Sequence, residues 1–80
     1  MTVRILLFAS YADAFGAPEI QLELPPAATV GDLVAAVRAR KEGKRLPVRP
    51  LVAVNKVYAA YDRLLGAQDE VALIPPVAGG

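Results

Sequence analysis

The sequence predicts an α+β domain: a mixed sheet of about four to five strands with one main helix packed on one face. Three observations carry this. Apolar residues alternate or run continuously near both ends of the chain and again in its third quarter, which is the pattern of strands. One well-punctuated segment between them places apolar residues at i, i+3, i+4 and i+7, the stripe of a single helix. A chain of 80 residues suits one small domain and leaves no length for a second core.

Each element follows from local pattern. In residues 3–9, Val3, Ile5 and Leu7 share one strand face, and Arg4, Leu6 and Phe8 share the other. Apolar residues on both faces mark a central strand, or a face kept for a partner. Residues 10–16 form a short helical turn or a loop closed by Gly16. Residues 19–24 alternate cleanly, with Ile20, Leu22 and Leu24 inward, and pair with the first strand as a hairpin that Pro25 and Pro26 end. Thr29 and Asp32 make a capping-box-like pair, and Val30, Leu33, Val34 and Val37 form the buried stripe of the helix. Arg40 and Lys41 fall in its last turn, with Gly43 as the residue just beyond the cap.

A basic loop bounded by Pro47 and Pro50 leads to a strand at 51–54. Asn55-Lys56 is a two-residue turn, although glycine suits its second position better. Residues 57–61 return as a short edge strand, residues 64–68 turn around a small apolar plug, and residues 69–74 form the last strand. The first and last strands are expected to lie parallel in the middle of the sheet, joined by a right-handed crossover. This order is the ubiquitin-like β-grasp plan. It divides the chain into a body, 1–74, and an extended tail, 75–80.

Composition excludes much chemistry. Cysteine and histidine are absent, which removes disulfides, thiolates, imidazole bases and the commonest transition-metal ligands. The eight carboxylates are scattered, and the adjacent pair Asp69-Glu70 points to opposite faces if it lies on a strand. Self-contained side-chain catalysis and a resident cofactor are therefore not expected. Net charge is +1, which argues against nucleic acid as a partner. The basic run Arg38, Arg40, Lys41, Lys44, Arg45 and Arg49 reads as a solvated helix end and loop, or else as a contact for an acidic partner or a phosphate. No apolar run has the roughly 20 residues of a membrane span, and no secretory signal is visible, so a cytoplasmic location is expected.

The tail is the most informative segment. Pro75, Pro76, Val77, Ala78, Gly79 and Gly80 carry no charged or aromatic side chain. The prolines fix φ and remove donors, favouring an extended exit from the body. Gly79 and Gly80 have no Cβ and allow another molecule close to the backbone. Six extended residues reach roughly 20 Å. The reading without function is a frayed terminus.

Residues 51–55, the stretch Asp69-Glu70-Val71-Ala72, the closing Pro75-Pro76-Val77-Ala78-Gly79-Gly80 and residues 3–9 together resemble the MoaD family, small subunits of molybdopterin synthase. Leu64 and Gln68 stand where that family often has proline and glycine, so the intervening turn is expected to be rebuilt, around Gly66. The resemblance implies a sulfur carrier. A ubiquitin-activating-like adenylating enzyme (MoeB-like) consumes ATP to convert the Gly80 carboxylate to an acyl-adenylate. A sulfur donor enzyme displaces AMP and leaves a thiocarboxylate. The tail, Pro75 to Gly80, then enters a large subunit (MoaE-like), where sulfur passes to cyclic pyranopterin monophosphate.

Two alternatives stay open: a carrier for thiazole formation in thiamin synthesis, and a ubiquitin-like interaction or modifier domain. For a carrier, the partner surface is expected on an apolar sheet face with Leu6, Phe8, Val54 and Ile74 as its candidates. Core packing is the competing role of each of these, because periodicity cannot assign faces when both are apolar.

Overall fold

The computed structural model describes residues 1–76. The elements are β1 (Thr2–Leu7), α1 (Ala9–Phe15), β2 (Glu19–Glu23), α2 (Val30–Ala39), a 3₁₀ turn (Glu42–Arg45), β3 (Leu51–Val54), β4 (Val57–Tyr58) and β5 (Glu70–Ile74). They build a five-stranded sheet in the order β2-β1-β5-β3-β4. The central pair β1 and β5 is parallel and the other pairs are antiparallel. This is the β-grasp architecture that the order of sequence patterns indicates.

The core lies between the sheet and α2. From β1 and β5 it takes Val3, Ile5, Leu7, Val71 and Leu73; from α2 it takes Val30, Leu33, Val34 and Val37. The capping box forms as the sequence implies. The Asp32 amide donates to the Thr29 hydroxyl at 3.1 Å, and the Thr29 amide donates to the Asp32 carboxylate at 2.9 Å. Two further amides of this helix start, Val30 and Gly31, donate to the carbonyls of Arg63 and Tyr61, each at 2.9 Å. The first turn is thus satisfied by the chain that returns toward β5.

Gly43 does not play the role that sequence gives it. The helix stops at Ala39, and Arg40, with φ −71° and ψ 155°, turns the backbone outward. Arg40 and Lys41 therefore lie beyond the last turn, which holds Arg38. Gly43 sits buried in the 3₁₀ turn, where a Cβ would fall 1.9 Å from the Val37 carbonyl oxygen. Glycine is required here for close approach of two backbone segments, not for a left-handed φ. The Arg40 guanidinium, freed from the helix, donates to the Gln21 carbonyl at 3.2 Å. A charged side chain thereby covers part of the exposed edge of β2.

Residues 10–16 resolve into α1, closed by Gly16 at φ 68°, whose amide reaches the carbonyls of Ala12 and Asp13. Asn55 and Lys56 both adopt positive φ, 53° and 71°, as a two-residue hairpin turn of the mirror-image type demands. Asn55 is held in place by β5. Its amide donates to the Glu70 carbonyl at 2.8 Å, its side-chain oxygen accepts from the Glu70 amide at 2.9 Å, and its side-chain NH₂ donates to Asp69 at 2.8 Å. β4 is shorter than the 57–61 expected, only Val57–Tyr58. The turn at 64–68 contains no positive φ; it is organised by Asp69, whose carboxylate accepts from the Gly66 amide at 2.8 Å and from Arg63 at 3.1 Å. Asp69 consequently stays outside β5, which starts at Glu70.

Candidate functional site

The face of the sheet away from α2 is only partly covered, and register decides which side chains it carries. Pairing sets Leu6 beside Ala72, Ala53 between Ala72 and Tyr58, and Leu51 beside Ile74. Phe8, just past the end of β1, is 48% exposed, Leu51 53% and Tyr58 69%. Leu6, Phe8, Ala53, Tyr58, Ala72 and Ile74 line a shallow concavity of about 390 Å³ with Lys56 and Glu70 also in its wall. An exposed apolar patch rimmed by polar groups is the usual form of a protein-binding surface.

The other half of this face is polar. Arg4 pairs with Glu70 at 2.8 Å and with Glu19 at 3.5 Å, and Gln21 and Glu23 project from β2 on the same side, opposite Arg4 and Thr2. Exposed ion pairs of this kind add little stability; here they bound the apolar half with a polar rim.

The structure brings three of the four expected surface residues together: Leu6, Phe8 and Ile74 all line the concavity. The fourth is corrected. Val54 is 2% exposed and belongs to the core. It pairs with Val71, whose side chain is also buried, so the alternation of β3 sends Val52 and Val54 inward and Leu51 and Ala53 outward. Tyr58, Leu51, Ala53 and Ala72 were missed by sequence reasoning. The usable signal is a charged residue sharing the face: Arg4 marks Leu6 as outward, and Glu70 marks Ala72 and Ile74. β3 has no charged residue, so nothing in its four side chains distinguishes its two faces.

The site includes the point where the chain leaves the sheet. β5 ends at Ile74, and Pro75 and Pro76 follow outside any strand. Ile74 belongs to the concavity, so the tail begins at its margin. The expected tail residues Val77, Ala78, Gly79 and Gly80 lie outside the described residues. At the opposite end of β5, the Asp69 carboxyl is held below its ordinary pKa, chiefly by the Gly66 amide and next by Asn55. Hydrogen bonds to a carboxylate favour its ionised form. This anchored turn sets where β5 starts and hence which of its residues face outward.

Among the described residues there is no group of three His, Cys, Asp or Glu side chains able to hold a metal ion. Among the same residues, no helix is long and apolar enough to cross a membrane. The described body offers an exposed apolar concavity beside the point where the tail leaves the sheet.

Comparison with known proteins bears on this arrangement. Residues 5–80 match the ThiS family. The chain is 31% identical over 80 residues to the molybdopterin synthase sulfur carrier subunit of Escherichia coli, covering 98% of this chain and 99% of that one. The small archaeal modifier protein 1 of Haloferax volcanii superposes with a TM-score of 0.79 at 29% identity, covering 95% of this chain and 98% of that chain. A chain from the complex of subunits 1 and 2 of molybdopterin-converting factor of Helicobacter pylori has the same fold, with a TM-score of 0.73, 21% identity and 100% coverage of both chains.

Proposed function

Since the chain belongs to the ThiS family, and its relatives include a molybdopterin synthase sulfur carrier subunit matched along almost its whole length, we propose that it is the sulfur-carrying small subunit of molybdopterin synthase. The observation that carries this reading is an apolar sheet face that borders the start of a Pro-Pro…Gly-Gly tail, in a chain with no cysteine or histidine. In this reading Gly80 is the reactive residue. A carboxylate is a poor electrophile, because its charge repels nucleophiles and oxide leaves badly. Transfer of AMP from ATP to the Gly80 carboxylate, with release of pyrophosphate, corrects both. A sulfur donor then displaces AMP and leaves a thiocarboxylate, which is nucleophilic at neutral pH as thiolates are.

The body's contribution is positioning. Pro75 and Pro76 limit the freedom of the chain at its root and reduce the entropy lost when a partner takes it up. Gly79 admits a narrow channel where a side chain would clash. The concavity of Leu6, Phe8, Ala53, Tyr58, Ala72 and Ile74 is the gripping surface for the large subunit and the adenylating enzyme. The Helicobacter pylori protein of this fold is found in a complex of subunits 1 and 2, which supports a large-subunit partner for this chain. Acid, base and pterin-binding groups then belong to that partner, and the reaction takes place in the cytoplasm.

The test is intact mass after incubation with ATP, an adenylating enzyme and a sulfide source. A gain of about 16 Da, one oxygen exchanged for sulfur at the activated carboxylate, is the expected result. Deletion of Gly80 should abolish the gain and leave the melting temperature unchanged. Product formation by the truncated chain with its large subunit would reject the carrier role. Analysis of the product separates pterin dithiolene from thiazole. An amide adduct to a lysine in place of sulfur transfer would assign the chain to the modifiers.

A further inference from the structure

The basic run of residues 38–49 is not used by the reading above, and the fold gives it a definite shape. Arg38 and Arg49 converge on a groove of about 400 Å³ together with Gly31, Val34, Ala35, Val48 and Tyr61. The groove lies on the helix side of the sheet, away from the Leu6–Ile74 concavity. Its walls are apolar: Val34 and Ala35 come from α2, and Val48 is 69% exposed. The Arg49 guanidinium stacks over the Tyr61 ring at 4.1 Å from its centroid, and the Tyr61 hydroxyl donates to the Pro50 carbonyl. Arg49 is thereby held by the face of its guanidinium. Arg38 has its Nε buried with no hydrogen-bond partner among the described residues.

Charge distribution indicates what fits. Residues 38–49 hold six cations and one carboxylate, Glu42, while the rest of the chain holds three cations against seven carboxylates. Among the described residues none of the six is ion-paired. Charge is thus uneven along the chain although the net charge is +1. Two of these cations, Arg38 and Arg49, line the groove beside Val34, Ala35, Val48 and Tyr61. A short segment that carries carboxylates and apolar side chains together complements both its charge and its apolar walls.

We propose that the groove between α2 and residues 47–50 is a docking site for an acidic, partly apolar peptide segment of a protein partner, with Arg38 and Arg49 binding its carboxylates. The site leaves the opposite sheet face free, so the chain can hold this partner while its other face is occupied.

The test is an NMR titration of the full ¹⁵N-labelled chain with a short blocked peptide of Glu, Asp and Phe. Inorganic phosphate and a single-stranded oligonucleotide are the comparison probes. Expected shifts centre on the amides of Gly31, Ala35, Arg38, Arg49 and Tyr61. Arg49→Glu, on an exposed loop, and Arg38→Ala should each raise the peptide Kd at least tenfold, and Lys44→Glu, outside the groove, should raise it less than about threefold, as a peripheral charge does. A melting curve for each variant shows that it is folded, and Arg49→Glu decides the matter if Arg38→Ala is not. Shifts spread evenly over residues 40–45 and indifferent to Arg49→Glu would overturn the proposal. So would phosphate alone reproducing the shifts at equal concentration, or the oligonucleotide binding more tightly through the same residues.

Discussion

The two faces of the sheet are built from the same three strands and do opposite work. Facing α2, β1, β3 and β5 present Val3, Ile5, Leu7, Val52, Val54, Val71 and Leu73, each no more than 2% exposed. On the other side the same strands present Leu6, Leu51, Ala53, Ala72 and Ile74, side chains of similar chemistry that line or border an open concavity. Hydrophobicity alone therefore does not decide burial in this chain. The helix covers one face and the described chain covers the other only in part, so similar apolar content yields a core on one side and an open apolar concavity on the other.

The largest expected effects test this contrast on the covered side. Leu73→Ala removes a fully buried side chain from β5 and should cost about 2–5 kcal/mol, read as a fall in the midpoint of urea unfolding. Gly43→Ala should cost about 2–3 kcal/mol by overpacking, because the new methyl meets the Val37 carbonyl rather than a side chain that can move.

Phe8→Ser acts on the open side. Its effect on stability should stay within about 1 kcal/mol, while affinity for the large subunit falls by about tenfold or more, as for an anchor in a desolvated pocket. A loss of stability equal to that of Leu73→Ala would break the contrast, since the open face would then be core.

Asp69 sharpens the comparison through register. Its carboxyl is held low by the Gly66 amide first and by Asn55 next, so the folded chain binds this proton more weakly than the unfolded one. The resulting stabilisation is present above the unfolded value of about 3.9 and is lost as pH falls through the folded value. Urea melts from neutral pH down through this acid range should show a shallower loss for Asp69→Asn than for the parent chain. The smallest effect is at Ala27, which holds φ 65° in an exposed turn. Ala27→Gly relieves this strain and should stabilise by about 0.5–1 kcal/mol, a gain visible in thermal melts and independent of both faces.

Legibility followed the presence of a polar marker. The start and buried face of α2 could be read because its capping pair and its 3.6-residue stripe agree, and β2 because Glu19, Gln21 and Glu23 alternate with Ile20 and Leu22. Periodicity left Leu6 and Ile74 open between core and surface, and the charges of Arg4 and Glu70 on their face are the marker that resolves them. Val54 could not, because every residue of β3 is apolar and its phase is set by pairing with Val71 and Val57. Gly43 was legible as a necessary glycine and not for the right reason: its constraint is a contact with Val37, six positions earlier, that no local rule contains.

By itself the sequence determined the element order, the β-grasp plan, the absence of imidazole and thiol chemistry and the Pro-Pro…Gly-Gly ending, since these depend on local spacing and on residue type. The tertiary structure alone decided which apolar side chains stay uncovered and that Arg38 and Arg49 meet across one groove. Both depend on strand register and on how α2 lies over the sheet, and those are settled by contacts between residues far apart in the chain.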